Sequence, residues 1–233
     1  MKGRISAFQS MGAVDGPGVR CVVFLQGCPL RCVYCHNPET WDRNGGYEVD
    51  TEELVQKILR YKSFINRGGG VTVSGGEPLM QPEFCVELFR RLKEEGIHTA
   101  LDTSGMGDLR RADEVLAYTD LVLCDVKFDS ESTYRKYCGG SFRQVEKFLE
   151  LVKKREIPLW FRHVVVPGIT DSEEEIRALH EFGKHYPSLE RLELLPFKKI
   201  CMTKYEELQI EFPLKDVPAC SAETIESLEK HIM

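Results

Sequence analysis

No run of apolar residues in this 233-residue chain approaches the ~20 needed to span a bilayer. The first residues, Met1-Lys2-Gly3-Arg4-Ile5, lack the apolar core of a secretory leader. The sequence therefore predicts a cytosolic protein without a membrane anchor. A basic excess is missing too. Lysine and arginine total 31 against 37 acidic residues, the formal charge is −6 and the pI is near 5.6. That removes the electrostatic footprint of a nucleic-acid-binding chain. Paired cysteines are also missing. There are nine, an odd number, and no second C-x-x-C follows the first, so a disulfide framework is disfavoured.

What is present is uneven. Three cysteines crowd into Cys28-Pro29-Leu30-Arg31-Cys32-Val33-Tyr34-Cys35, a C-x3-C-x2-C pattern. The other six are scattered singly. Cys21, Cys85 and Cys124 lie in apolar runs and read as small buried hydrophobes. Cys138 and Cys201 stand beside glycine or basic residues, where a reactive thiol is the less expected alternative.

Along the chain, apolar runs of strand length alternate with helical periodicity. Residues 1–19 read as irregular, with turn residues at Gly16-Pro17-Gly18. Strands are predicted at about 20–26, 71–74, 98–102, 121–125, 159–166 and 191–195. Helices are predicted at about 50–67, 82–95, 109–118, 142–154, 171–185 and 221–232. Six such alternations imply a parallel sheet with right-handed crossovers, in one domain spanning 1–233. Pattern alone leaves an open doubly wound sheet and a barrel-like one both standing.

The unusual residues sit at strand ends. Cys28–Cys35, Gly75-Gly76-Glu77, Asp102-Thr103-Ser104, Asp125 with Lys127, and Arg162 all lie at or toward C-terminal ends of predicted strands. That edge is where parallel α/β sheets bind ligands, so one shared site is predicted. Three thiolates suit a metal. Structural zinc wants four ligands, and His36 directly follows Cys35, where simultaneous ligation is awkward. A four-cysteine electron carrier needs a fourth cysteine. Three ligands without a fourth predict an iron–sulfur cluster with one open iron, with zinc as the alternative. Gly75 and Gly76 permit close approach of backbone to a ligand. Lys127 offers a cation, and Asp102, Thr103 and Asp125 offer hard oxygens for a ribose or a small cation. Each also has a plainer reading: Asp102 as a turn residue, Lys127 as a solvated strand end, His36 as a loop residue, Trp41 as a packing anchor. Arg162 in an apolar strand needs a partner if buried.

These residues carry a resemblance. The C-x3-C-x2-C pattern with Tyr34 before its last cysteine, together with Gly75-Gly76-Glu77, resembles the radical S-adenosylmethionine superfamily. Within it the chain is similar to the glycyl-radical-enzyme activases of the pyruvate formate-lyase type. The likeness rests on Asp15-Gly16-Pro17-Gly18, Cys35-His36-Asn37-Pro38-Glu39-Thr40-Trp41, Gly69 to Glu77, Leu101-Asp102-Thr103-Ser104-Gly105 and Val166-Pro167-Gly168. It runs from about residue 3 to residue 198 and is weak beyond. It implies a partial six-stranded (β/α) barrel, with a [4Fe–4S] cluster on Cys28, Cys32 and Cys35. S-adenosylmethionine would lie against Tyr34, His36, Gly75, Gly76, Glu77, Asp102, Asp125 and Lys127. Lys198 stands where relatives can carry a ligand-contacting histidine. A Na+ or K+ ion would be held by Asp102, Thr103, the Leu123 carbonyl and Asp125. Asp15 and Arg162 would face the protein substrate. The implied activity is reductive cleavage to a 5′-deoxyadenosyl radical that takes a glycine Cα hydrogen from pyruvate formate-lyase. The implied electron donor is reduced flavodoxin or ferredoxin, and the implied state a monomer. Anaerobic ribonucleotide reductase or a dehydratase is the alternative partner, and a radical enzyme acting on a small molecule the alternative class. Residues 36–76 hold no cysteine, which disfavours the dehydratase subclass with its extra clusters.

Overall fold

The computed structural model describes residues 1–232. The chain opens with β1 (Lys2–Gly12), β2 (Arg20–Leu25) and β3 (Tyr47–Asp50). It continues through α1 (Thr51–Leu59), α2 (Lys62–Ile65), β4 (Gly70–Gly75), α3 (Pro82–Glu94), β5 (Thr99–Thr103) and α4 (Leu109–Leu116). Then come β6 (Leu121–Asp125), α5 (Glu131–Cys138), α6 (Phe142–Lys154), β7 (Leu159–Val165), α7 (Glu173–Gly183) and β8 (Leu189–Pro196). The helices α8 (Met202–Glu207) and α9 (Ala222–Glu229) follow.

All eight strands form one sheet in the order β3-β1-β2-β4-β5-β6-β7-β8. From β2 to β8 every pairing is parallel. These are the six strands the alternation predicts, and they form an open arc. The difference lies at the N-terminus. Residues predicted to be irregular form β1, antiparallel to β2 and flanked by β3. Ser6, Gln9 and Ser10 break the apolar alternation there, so strand identity comes from its two neighbours rather than from its own pattern.

Helix starts follow local chemistry. Asp50 accepts from Glu52 N at 2.8 Å, and Ser221 accepts from Thr224 N at 3.1 Å. Ser172, not Asp171, caps α7, while Asp171 accepts from Gly168 N. The helices α5 and α8 were not predicted, because each is short and mostly polar. Each long helix turns one face inward. On α6, Val145, Phe148, Leu149 and Val152 are fully buried, each contributing roughly 1.5–3 kcal/mol. On α3, Cys85 is buried as its apolar run predicts, beside Phe84, Leu88, Phe89 and Leu92.

Strand register places the site. Asp102, Leu123 and Trp160 share one row across β5–β7, and Asp125, Arg162 and Glu193 share the next across β6–β8. In parallel strands such rows point to one face. The charged strand ends therefore meet inside the arc.

Candidate active site

The cysteine loop leaves β2 at Gln26. The Gln26 side chain donates to Glu39 O at 2.8 Å and Asp42 O at 2.6 Å, and Gly27 N donates to Thr40 O at 2.8 Å. These bonds fold the segment back on itself over a cavity of about 420 Å3. Cys28, Cys32 and Cys35 line that cavity with Tyr34 and His36. Burial pushes the thiols up, Cys28 to about 12 and Cys35 to about 11. Cys32 is raised by the facing Cys138 thiol and by burial. Thiols so placed ionise only when a cation binds them. Three soft donors on one wall fit an iron cluster, although among the described residues no three ligating side chains are already drawn together at metal spacing.

A second stretch of the wall is Gly75 and Gly76. Gly75 has φ +111°, and a Cβ there would stand 2.3 Å from Leu25 N. A Cβ on Gly76 would stand 2.3 Å from Gly27 O. Only glycine lets the β4 exit close against the β2 exit and present bare backbone to a ligand.

Glu77 does not share in that wall. It is fully buried outside the cavity. Its carboxylate accepts from Thr103 Oγ1 (2.5 Å), Ser104 Oγ (2.5 Å), Ser104 N (2.9 Å) and Leu79 N (3.0 Å). Four donors saturate it, so it braces the β5 exit rather than touching a cofactor. Thr103 lines the cavity, but its hydroxyl is spent on Glu77 and on Gly105 N. Leu123 is away from the cavity wall, packed with Ala100, Leu121 and Trp160.

The floor is charged. Arg162 Nη1 stands 3.1 Å from Asp102 Oδ2 and its Nε 3.8 Å from Asp125 Oδ1. Neither contact has hydrogen-bond geometry, and both nitrogens remain without a partner. Lys127 Nζ bonds Asp125 Oδ2 at 2.9 Å. Ser74 Oγ donates to Asp102 Oδ2 at 2.6 Å. Burial pushes Asp102 up to about 6 despite Arg162. Burial would raise Asp125 as well, but Lys127 and Arg162 outweigh it and hold it low. Asp15, raised by burial, reaches the same floor. The carboxylates offered to a small cation are thus already matched to Arg162 and Lys127. Three carboxylates face two cations, leaving one negative charge.

The seam of the arc closes through residues that no local pattern marks. His36 Nε2 bonds Lys198 O at 2.8 Å, and burial holds its pKa down. Lys204 bridges Asn37 and Glu39. Trp41 packs edge-on against Tyr205 with centroids 6.0 Å apart. Lys198 lies at the rim with Ile200, and Val14 stands on the cavity wall as well. Val14 and Ile200 are 76% and 72% exposed. Of these, sequence reasoning missed Val14, Ser74, Ile200 and Lys204. Ser74 alone carried a signal, as the last residue before the two glycines.

The sequence profile described as the Radical SAM superfamily matches residues 22–180. The chain is 47% identical to the pyruvate formate-lyase-activating enzyme of Clostridium pasteurianum, over 99% of this chain and 97% of that protein. It is 41% identical to the pyruvate formate-lyase 1-activating enzyme of Escherichia coli K12, over 97% and 94%. Among solved structures, a domain of a pyruvate-formate lyase-activating enzyme from Bacteroides vulgatus superposes with a TM-score of 0.58 at 26% identity. That superposition covers 71% of this chain and 93% of that one.

Proposed function

Because this chain belongs to the radical SAM superfamily, within the family of pyruvate formate-lyase-activating enzymes, we propose that it activates a glycyl-radical enzyme, and that its substrate is pyruvate formate-lyase. The observation that carries this reading is a single cavity lined by three thiols, by bare glycine backbone, and by a charged floor with spare guanidinium donors. Cys28, Cys32 and Cys35 would hold a [4Fe–4S] cluster, leaving one iron free. When bound, the cluster supplies one electron for reductive cleavage of S-adenosylmethionine, the chemistry by which a Cα hydrogen is removed from the partner's glycine.

The chain's own residues bind and orient. Gly75 and Gly76 offer backbone to the amino-acid end of S-adenosylmethionine. The single excess negative charge of the floor complements its sulfonium. The unpartnered Nε and Nη1 of Arg162 are donors waiting for an acceptor. A Na+ or K+ ion, if bound, shares Asp102 and Asp125 with these two cations. The exposed apolar rim at Val14 and Ile200 suits a protein segment better than a small polar substrate. Asp15 and Arg162, on the floor beneath that rim, would meet the tip of such a segment.

A reduced flavodoxin or ferredoxin supplies the electron, and the whole chain works as a monomer and as one domain. One sheet and one apolar cluster reaching from Ile5 to Leu228 support the single domain. Nine free cysteines suit a reducing cytosol. Among the described residues no helix is long and apolar enough to cross a membrane.

The test is anaerobic reconstitution to about four irons per chain, followed by mixing with reductant, S-adenosylmethionine and pyruvate formate-lyase. A glycyl radical in the electron paramagnetic resonance spectrum is expected. Its absence with pyruvate formate-lyase but presence with anaerobic ribonucleotide reductase overturns the choice of partner. Failure to take up iron overturns the cluster itself.

A further inference from the structure

The turn between β1 and β2 brings Val14 and Asp15 to the cavity, and it belongs to no helix or strand. It is held at three points. Thr72 Oγ1 donates to Asp15 O at 2.6 Å. Arg20 Nη1 donates to Pro17 O at 3.2 Å. Gly18, at φ +67°, packs so closely on the α2–β4 connection that a Cβ on it would stand 2.3 Å from Gly68 O. The Asp15 carboxylate lies over the end of β1, where a Cβ on Gly12 would stand 3.5 Å from its Oδ2.

The first of these holds is a relay. Thr72 is fully buried on β4. A hydroxyl has one proton to give and can accept as well. Here the proton goes to Asp15 O, while Arg20 Nε donates to the same oxygen at 2.6 Å. A cationic donor polarises the hydroxyl and strengthens the bond that it gives in turn. Arg20 is itself fixed, fully buried and bonded to Val71 O at 2.8 Å. Thr72 stands behind the cavity wall, while Ser74 and Gly75 of the same strand line it. One side chain therefore ties the Asp15 turn to the strand that presents the glycine wall. We propose that Thr72 is a positioning residue for the protein substrate: its hydroxyl sets where Asp15 stands relative to Gly75 and Gly76, and so how the partner's glycine meets the reacting centre. The inference rests on the reading above that Asp15 meets the partner's segment.

The test uses reconstituted full-length protein with Thr72→Val, which keeps the volume and removes the hydroxyl, and Thr72→Ser, which retains it. Release of 5′-deoxyadenosine is measured without partner. Glycyl radical formation is followed by electron paramagnetic resonance against pyruvate formate-lyase concentration. The Val variant is expected to release 5′-deoxyadenosine at the wild-type rate but to need about tenfold more pyruvate formate-lyase for half-maximal rate, the worth of one hydrogen bond. Ser should restore the wild-type requirement. A Val variant that is unchanged in both assays, or that loses both equally, overturns the proposal. If Val does not fold, because the Arg20 Nε–H is left buried without an acceptor, Thr72→Cys is read in the same way, since its thiol is a weak donor and acceptor. Asp15→Asn is measured alongside. If it leaves the requirement for partner unchanged, the reading of Asp15 falls and the relay has nothing to position. If it raises that requirement while Thr72→Val does not, the reading of Asp15 stands and the proposal alone falls. A wild-type chain that raises no glycyl radical refutes the choice of partner before any variant is compared.

Discussion

Two arginines sit inside the same sheet and are held in opposite ways. Arg20 opens β2 and is 0% exposed. It donates to Thr72 Oγ1 (2.6 Å), Pro17 O (3.2 Å) and Val71 O (2.8 Å), and approaches His98 Nδ1 at 3.2 Å. None of these acceptors is a carboxylate, and burial lowers its pKa to about 10. Arg162, at the middle of β7, faces Asp102 and Asp125, and the charge of Asp102 pushes its pKa up. Yet two of its nitrogens lack hydrogen-bond partners. Donors saturated by neutral oxygens have nothing left for a ligand; charge balanced off-axis by carboxylates leaves donors free. The first pattern builds the scaffold, since Thr72 in turn donates to Asp15 O and fixes the turn that carries Asp15 to the cavity. The second pattern is a site.

The contrast makes three measurable claims. Arg20→Met should cost about 3 kcal/mol in urea unfolding, because three acceptors lose their donor at about 1 kcal/mol each. A loss well under 1 kcal/mol would make Arg20 dispensable to the scaffold. Arg162→Met should leave stability within about 1 kcal/mol but slow S-adenosylmethionine cleavage about 100-fold, the worth of roughly 3 kcal/mol of charge-assisted bonding. If its unfolding midpoint instead drops as far as that of Arg20→Met, the two arginines play the same part and the contrast collapses.

The smallest effect concerns Asp102. Its carboxyl sits at about 6 in the folded chain against about 3.9 in an unfolded one. Between those values the folded state holds a proton that the unfolded state has lost, so stability falls as pH rises through that window. The loss is about 2–3 kcal/mol at roughly 1.4 kcal/mol per unit. Asp102→Asn should remove this slope, so that variant minus wild type grows by that amount from pH 4 to pH 7. A difference that stays flat across urea melts at those pH values would mean that Asp102 is not held at a cost.

How much of this was legible depends on whether a residue breaks a local pattern. Gly75, Gly76, Asp102, Asp125, Lys127 and Arg162 each interrupt or end an apolar strand, and parallel topology then gathers them on one edge. The six parallel strands follow from the same runs. Glu77 broke the pattern too, but only its four short-range donors reveal that it faces away from the cavity. The strand β1 hid because its neighbours, not its residues, make it a strand. The closure of the loop by Lys198, Lys204 and Tyr205 hid because contacts across more than 160 positions leave no periodicity to read.

That closure has a consequence for how the protein is made. The loop joins the first parallel strand to the residues that follow the last one. A ribosome emits Cys35 and then 168 further residues before Lys204, which pins the loop through Asn37 and Glu39. At ~5–20 residues per second that is roughly 8 to 34 s. For that interval the bonds from Lys204 to Asn37 and Glu39 cannot form, so the closing of the cysteine loop waits for the last part of the chain.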